Sequence, residues 1–402
     1  MNLPYLTPSL PGVGGEIKQR PEDFRVEEAP LYEASGEGAH TYLQIRKVGI
    51  PTAAAVDRIA RHMGVRPTEI GLAGLKDAHA VTTQWLSLEH ADEARLAAFR
   101  DRQVDILSVT RHTNKLRPGH LAGNRFAIRI RGAGEGHLPA ARAILEVLRR
   151  RGVPNYFGEQ RFGAREDTAR LGEQLVRGNL DEFVALYLGR PRPDDPPDCR
   201  LARDAFDIGD YARALKRWPR HYANERRALS AYRKKHRAAQ AVSAVDKRMR
   251  RFYVSAFQSA IFNEIVARRI ETLDTVLEGD YARKTDTGGV FLVEELEAER
   301  PRAEAREISP AGLLPGYRCR LAGGEPGRIE AEALAAFGVT LESFDRAGAL
   351  RIKGTRRALR FLLDSPHVSA GADEHGEYLE LSFAAPSGCY ATVALREVMK
   401  NS

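Results

Sequence analysis

Leu72-Ala73-Gly74-Leu75-Lys76-Asp77-Ala78-His79-Ala80-Val81-Thr82-Thr83 sets a lone carboxylate between two runs of different character. Upstream lies a short apolar run carrying Gly71 and Gly74, and downstream the chain turns β-branched. β-Branched residues favour strands and glycines permit tight turns. The pattern predicts a tight loop at the end of a strand, with Asp77 able to face a cleft. No other carboxylate in the chain is framed in this way. On local sequence alone the commoner role for such an Asp is to cap a turn.

Outward from this loop, the N-terminal third alternates strand and helix signals. Ile17–Phe24 leads into Arg25-Val26-Glu27-Glu28, and Thr41-Tyr42-Leu43-Gln44-Ile45 alternates as a half-buried strand does. Residues 52–63 predict a helix, with Val56, Ile59, Ala60 and Met63 on one face and Gly64 just past its end. Phe126-Ala127-Ile128-Arg129-Ile130 alternates again. Residues 139–151 predict a second amphipathic helix, bracketed by Pro139 and Gly152.

After Gly152 the character changes. Residues 190–197 read as a polar, proline-rich connector or exposed loop, and 201–272 look mostly helical. Val254, Phe257, Ile261 and Ile265 form a helical stripe expected to be core. Residues 280–300 turn strand-like. Residues 357–363 and 377–383 predict strands around a Gly-Ala-Asp-Glu-His-Gly-Glu turn, and Ala391–Leu395 a further strand or short helix. Strand-rich ends around a helical middle suggest one domain interrupted by an insertion.

The 402 residues, 43% hydrophobic and 29% charged, are enough for two or three packed domains. The net charge of +8 is unevenly spread. Residues 213–251 hold fourteen Lys or Arg against two acids, Glu225 and Asp246, so the remainder is net acidic. Residues 109–131 add Arg111, Lys115, Arg117, Arg125, Arg129 and Arg131 with no acid. Either run alone suits a solvated face. Two runs, with Trp218, Tyr222 and Tyr232 interleaved in the longer one, favour a nucleic-acid partner. The N-terminus shows no signal-peptide pattern and no apolar run has the length of a membrane span, so a cytoplasmic protein is expected.

Cofactor and metal signatures are missing. Cys199, Cys319 and Cys389 are widely spaced and match no zinc-ligand pattern. There is no phosphate-binding Gly-x4-Gly-Lys loop and no His-Glu-x-x-His. Ser387 lies in Ala-Pro-Ser-Gly, which is not a nucleophile elbow. The expectation is therefore no cofactor and no metal, with any chemistry carried by side chains. A carboxylate such as Asp77 can act as nucleophile or base without a metal. To stay ionised in a partly buried cleft it needs a cation, for which Lys18 and Arg125 are candidates. Lys76, adjacent in an extended backbone, would point away.

Gly74-Leu75-Lys76-Asp77-Ala78-His79-Ala80-Val81-Thr82-Thr83-Gln84-Trp85 resembles the active-site motif of the TruD family of tRNA pseudouridine synthases. Other stretches agree in the family's order. They are Lys18-Gln19-Arg20-Pro21-Glu22-Asp23-Phe24, Gly36–His40, Lys115–Gly119 and Gly123-Asn124-Arg125-Phe126. Further on come Gly152-Val153-Pro154-Asn155-Tyr156-Phe157-Gly158 with Glu159–Gly163, Ser255–Asn263, Gly388–Thr392 and Leu395-Arg396-Glu397. Together they span nearly the whole chain.

The resemblance implies isomerisation of uridine to pseudouridine in tRNA, usually at position 13. It implies an α/β (α+β) catalytic domain with a mixed, largely antiparallel sheet, formed by residues 1–153 and 346–402. Residues 154–345 would be a family-specific insertion, the two lobes forming a V whose RNA cleft the basic run 213–251 lines. Asp77 would be the essential residue, whether it attacks the sugar, attacks the base or removes the C1′ proton. Lys18 would be its ion-pair partner and Phe126 the aromatic on the flipped uracil. Phe24 and Asn124 would support the site. Arg125, Arg233, Lys234 and Lys235 are candidate RNA contacts. His79 is expected to pack or bind phosphate, and Asn155, Tyr156, Gln160 and Arg161 to serve structure. Two other readings compete: a non-catalytic RNA-binding protein, disfavoured by the intact Lys76-Asp77, and a metal-dependent RNA-processing enzyme, disfavoured by the lack of clustered acids and histidines.

Overall fold

A computed structural model describes residues 3–346 and 350–401. The chain divides into two compact units. One comprises Tyr5–Val153 and Phe361–Ser402, the other Met1–Pro4 and Pro154–Arg360.

The first unit is built on an eight-stranded sheet. Its strands are β1 (Phe24–Pro30), β2 (His40–Val48), β3 (Gly71–Leu72), β4 (Val81–Glu89), β5 (Val104–His112) and β6 (Leu121–Arg131), with a C-terminal hairpin of Asp364–Asp373 and Gly376–Pro386. The order runs from Asp364–Asp373 through Gly376–Pro386, β6, β1, β4 and β2 to β5, with the short β3 beside β4. Among the described residues of this sheet only β1 and β4 pair in parallel; every other pairing is antiparallel. The mixed, largely antiparallel sheet expected from the resemblance is the one observed, drawn from both ends of the chain.

Alternation decides which side chains share a face. Register places Phe24 beside Ile128, Val26 beside both Phe126 and Thr82, and Lys47 beside Thr82. Helix α1 (Thr52–Met63) covers one half of this face, packing Val56, Ile59, Ala60 and Met63 onto Leu43, Ile45, Leu86 and Leu88. Gly64 ends it in the left-handed region at φ 71, as its position predicts. The helix Leu138–Arg151 packs against the strand Asp364–Asp373 on the other half and against the helix Ala391–Met399. The opposite face is charged, with Arg25 and Arg129 both paired to Glu380.

One local expectation shifts and another resolves between its two alternatives. The strand before the C-terminal turn is Asp364–Asp373, not 357–363. Its Ser-Pro-His-Val-Ser-Ala-Gly sequence lacks apolar alternation because it is a sheet edge, where Pro is tolerated. Ala391–Leu395 resolves as the start of a helix.

The second unit is mainly helical. The long helix Lys247–Arg268 runs through it and buries Val254, Phe257, Ile261 and Ile265, the stripe expected as core. It crosses Thr168–Arg177 closely at Gly172, where a Cβ would collide with the Tyr253 carbonyl. A four-stranded antiparallel sheet orders Thr355–Ala358, Ile308–Leu314, Tyr281–Lys284 and Val290–Leu292. The boundary expected at residue 345 abuts residues 347–349, which lie outside the described ones. Thr355–Ala358 pairs with Ile308–Leu314, so the chain up to Arg360 groups with this unit.

Candidate active site

The segment between β3 and β4 is a loop, and it carries Asp77. The strand ahead of it is only two residues long. What holds the loop is a set of anchors from other parts of the unit. Its ends are pinned through backbone, with Gly119 N donating to Ala73 O and Gly49 N to Ala80 O. Thr52 Oγ1, in the first turn of α1, accepts from Lys76 N at 2.9 Å and donates to Gln84 Oε1 at 3.0 Å. Lys47 Nζ, on β2, donates to the Asp77 carbonyl at 2.6 Å and to Ile50 O at 2.7 Å. Lys76 turns away from its neighbour and forms a buried ion pair with Glu28 on β1, Nζ to Oε2 at 2.8 Å.

These anchors leave the Asp77 carboxylate half-exposed. It accepts from Lys18 Nζ at 2.7 Å, so Lys18 and not Arg125 supplies the neighbouring cation. Lys18 adopts the left-handed region at φ 59, which costs a non-glycine residue about 1–2 kcal/mol. Its ammonium lies 4.3 Å above the Phe24 ring, a second favourable contact for the same charge. Phe24 meets Phe126 edge-on at 6.4 Å, and Phe126 meets Phe383 at 5.2 Å. Of these three rings Phe126 keeps open surface, while Phe24 and Phe383 are buried.

Asn124 lies one alternation from Phe126 on the same face, and its Oδ1 is buried with no hydrogen-bond partner. Thr82 Oγ1 and Gln84 Nε2 are also buried without partners on that face. Polar atoms this deep normally have one. Arg125, between Asn124 and Phe126, projects from the other face of β6 and is exposed. His79 is exposed at the loop surface.

Lys47 and Glu28 were not singled out from sequence, although a signal was there. Leu43, Ile45 and Lys47 share one parity on β2, as do Phe24, Val26 and Glu28 on β1. In each case a charged residue takes an inward position that alternation assigns to an apolar one. Burial pushes the Lys47 ammonium down to about 8, with the Asp77 charge opposing that shift.

The two basic runs fare differently. In 109–131 three of the six cations are neutralised: Arg111 by Glu93, Arg129 by Asp373 and Glu380, Arg131 by Asp23 and Asp373. In 213–251 a single ion pair is formed among the described residues, Arg217 with Asp198 at 3.9 Å. Arg233, Lys234 and Lys235 lie in the last turn of the helix Ala223–Lys235, in the second unit, and all three are exposed. The interleaved aromatics turn inward. Trp218 is buried against Tyr222, and Tyr232 packs on Phe206 and Tyr211. Among the described residues no group of three or more His, Cys, Asp or Glu is placed to hold a metal ion, and no helix is long and apolar enough to cross a membrane.

A family model for tRNA pseudouridine synthase D (TruD) matches residues 1–398. The chain belongs to the TruD family. It is 45% identical to the tRNA pseudouridine synthase D of Geobacter metallireducens over 397 residues, covering 98% of this chain and 97% of the relative. The Anaeromyxobacter dehalogenans protein of the same name is 39% identical over 99% of this chain and 97% of its own. A crystal structure described as a putative tRNA pseudouridine synthase D from Methanosarcina mazei superposes with a TM-score of 0.86 at 30% identity, covering 100% of this chain and 99% of that one. The TruD motif loop around Asp77 is thus set in a TruD fold from end to end.

Proposed function

We propose that this enzyme isomerises uridine to pseudouridine in tRNA, at position 13, with Asp77 as the essential carboxylate. The observation that carries the assignment is the Lys18–Asp77 ion pair beside the half-open Phe126 ring, in a chain of the TruD family. The N1–C1′ bond breaks, the uracil turns in place, and C5 bonds to C1′. The C5 hydrogen leaves as a proton and N1 ends protonated, so no oxidant or reductant is consumed.

Each neighbour has a part in this scheme. The target uridine leaves its stack to enter the site, and Phe126 provides the face on which the uracil lies. Lys18 balances the Asp77 charge and aims its carboxylate through the 2.7 Å ion pair. Asn124, with an orphaned acceptor, binds the base or the water beside it. Phe24 carries Lys18 on its ring. The sheet unit is the catalytic domain and Pro154–Arg360 the insertion. Its uncompensated basic surface, including Arg233, Lys234 and Lys235, tracks RNA phosphates, and exposed Arg125 adds a phosphate contact on the sheet unit. A tRNA substrate places the enzyme in the cytoplasm.

The test is tritium release from unmodified tRNA carrying tritium at uridine C5, in EDTA, for wild type and Asp77→Asn. Release by wild type and none by the variant is expected. No release from wild type sinks the synthase assignment, equal release from both removes Asp77, and loss of activity in EDTA reinstates a metal.

A further inference from the structure

Among the described residues, five side chains in the second unit form a column in which aromatic rings and guanidinium groups alternate. Phe262 lies at its buried base. The Arg357 guanidinium stands 5.8 Å from the Phe262 centroid and 4.4 Å from that of Phe157. Arg161 follows, 5.8 Å from Phe157 and 5.2 Å from Phe252. Arg161 is held in place by Ser255 Oγ at 2.5 Å and Ser259 Oγ at 3.2 Å. The column runs from the core to the surface and ends on Phe252, a ring that is 37% exposed.

The surroundings of that ring select a partner. Arg248, Phe252, Ser255 and Ser259 recur at i, i+4, i+7 and i+11 and so share one face of the helix Lys247–Arg268. Lys247, Arg248, Arg250 and Arg251 crowd its first turns, where Asp246 caps the helix by accepting from Arg248 N at 2.7 Å, and none of the four cations forms an ion pair among the described residues. Cations at a helix N-terminus oppose the helix dipole and cost stability. An anion docked beside them reverses that cost. An exposed ring backed by a fixed guanidinium and flanked by unpaired arginines presents what an unstacked nucleotide needs: a stacking face and phosphate donors.

We propose that Phe252 is a stacking platform for an unpaired nucleobase of the RNA substrate, with Arg248 and Arg251 gripping the adjoining phosphates. This rests on the assignment of RNA as substrate but adds a specific contact in the insertion. Stacking tolerates any base, so the platform contributes affinity and position rather than sequence choice.

The test measures binding of full-length protein to unmodified tRNA transcript between 50 and 200 mM salt. Phe252→Ala should weaken binding about tenfold, within the range for removal of one stacked base, and leave the salt slope unchanged. Phe252→Trp should keep wild-type affinity, and its added indole should be quenched as tRNA is titrated in. The Arg248→Ala, Arg251→Ala double variant should instead lower the salt slope by about 1.8. Phe252→Ala affinity within twofold of wild type, or no added quenching in Phe252→Trp, overturns the proposal. Wild-type tritium release with unaltered Phe252→Ala binding removes this inference and keeps the synthase. Weakened Phe252→Ala binding in a protein that releases no tritium does the opposite.

Discussion

Lys18 and Asp77 stand 59 residues apart in sequence and meet through a 2.7 Å ion pair, with the lysine backbone in the left-handed region. The pair is half-shielded, and a ring lies under the ammonium. Removing the cation leaves the carboxylate in place but neither aimed nor charge-balanced. Lys18→Met should lower single-turnover tritium release about 100-fold, the scale for loss of one preorganised electrostatic partner. Affinity for tRNA should stay within about threefold, and Lys18→Arg should recover part of the rate. A Lys18→Met rate equal to wild type would exclude the role.

Lys47 links stability to pH. Its folded value, about 8, lies below the ordinary 10.5. Between those values the unfolded chain binds more protons, so stability rises with pH across that window. The wild-type-minus-Lys47→Met difference in unfolding free energy should therefore climb by up to about 1.4 kcal/mol per pH unit from roughly pH 8 to 10. Urea titrations at closely spaced pH values read this directly, and a flat difference would contradict it. The variant should also lose activity near neutral pH, because the Asp77 carbonyl no longer has its donor.

The Lys76–Glu28 pair is almost fully buried. Glu28→Gln strands the ammonium and should cost about 3–5 kcal/mol in chemical denaturation. The double change Glu28→Met, Lys76→Met removes both charges and should restore most of that stability while leaving the loop less well placed for turnover. A single variant as stable as wild type would mean that the ion pair is open to water.

Arg233, Lys234 and Lys235 crown a helix C-terminus, where cations also favour the helix dipole. Reversing all three should weaken tRNA binding and reduce the salt slope by about 0.9 for each phosphate that is no longer neutralised. Circular dichroism should accompany the measurement, since each reversal costs the helix end about 0.3–1 kcal/mol. An unchanged slope would move the RNA path to other parts of the unit.

Much of the fold was legible because its signals are local. The period of Val56, Ile59, Ala60 and Met63, with Gly64 after them, is enough to define α1 and its end. The alternation of Phe126, Ile128 and Ile130 likewise defines β6. A strand at the rim of a sheet is under no such periodic constraint, which is why the polar strand Asp364–Asp373 left no comparable mark on the sequence.

Sequence alone determined the TruD motifs, the lone Asp77 and the excess of cations in 213–251. These depend only on residue identity and spacing. Tertiary structure decided which charges remain available. It matched Arg129 and Arg131 to acids more than 200 residues away, and left Arg248 and Arg251 without an ion pair among the described residues. It also placed Lys47 beneath the Asp77 carbonyl and aligned Phe252 with Arg161. Pairings of this kind depend on strand register and helix face, and a linear pattern does not specify which distant side chain will arrive opposite.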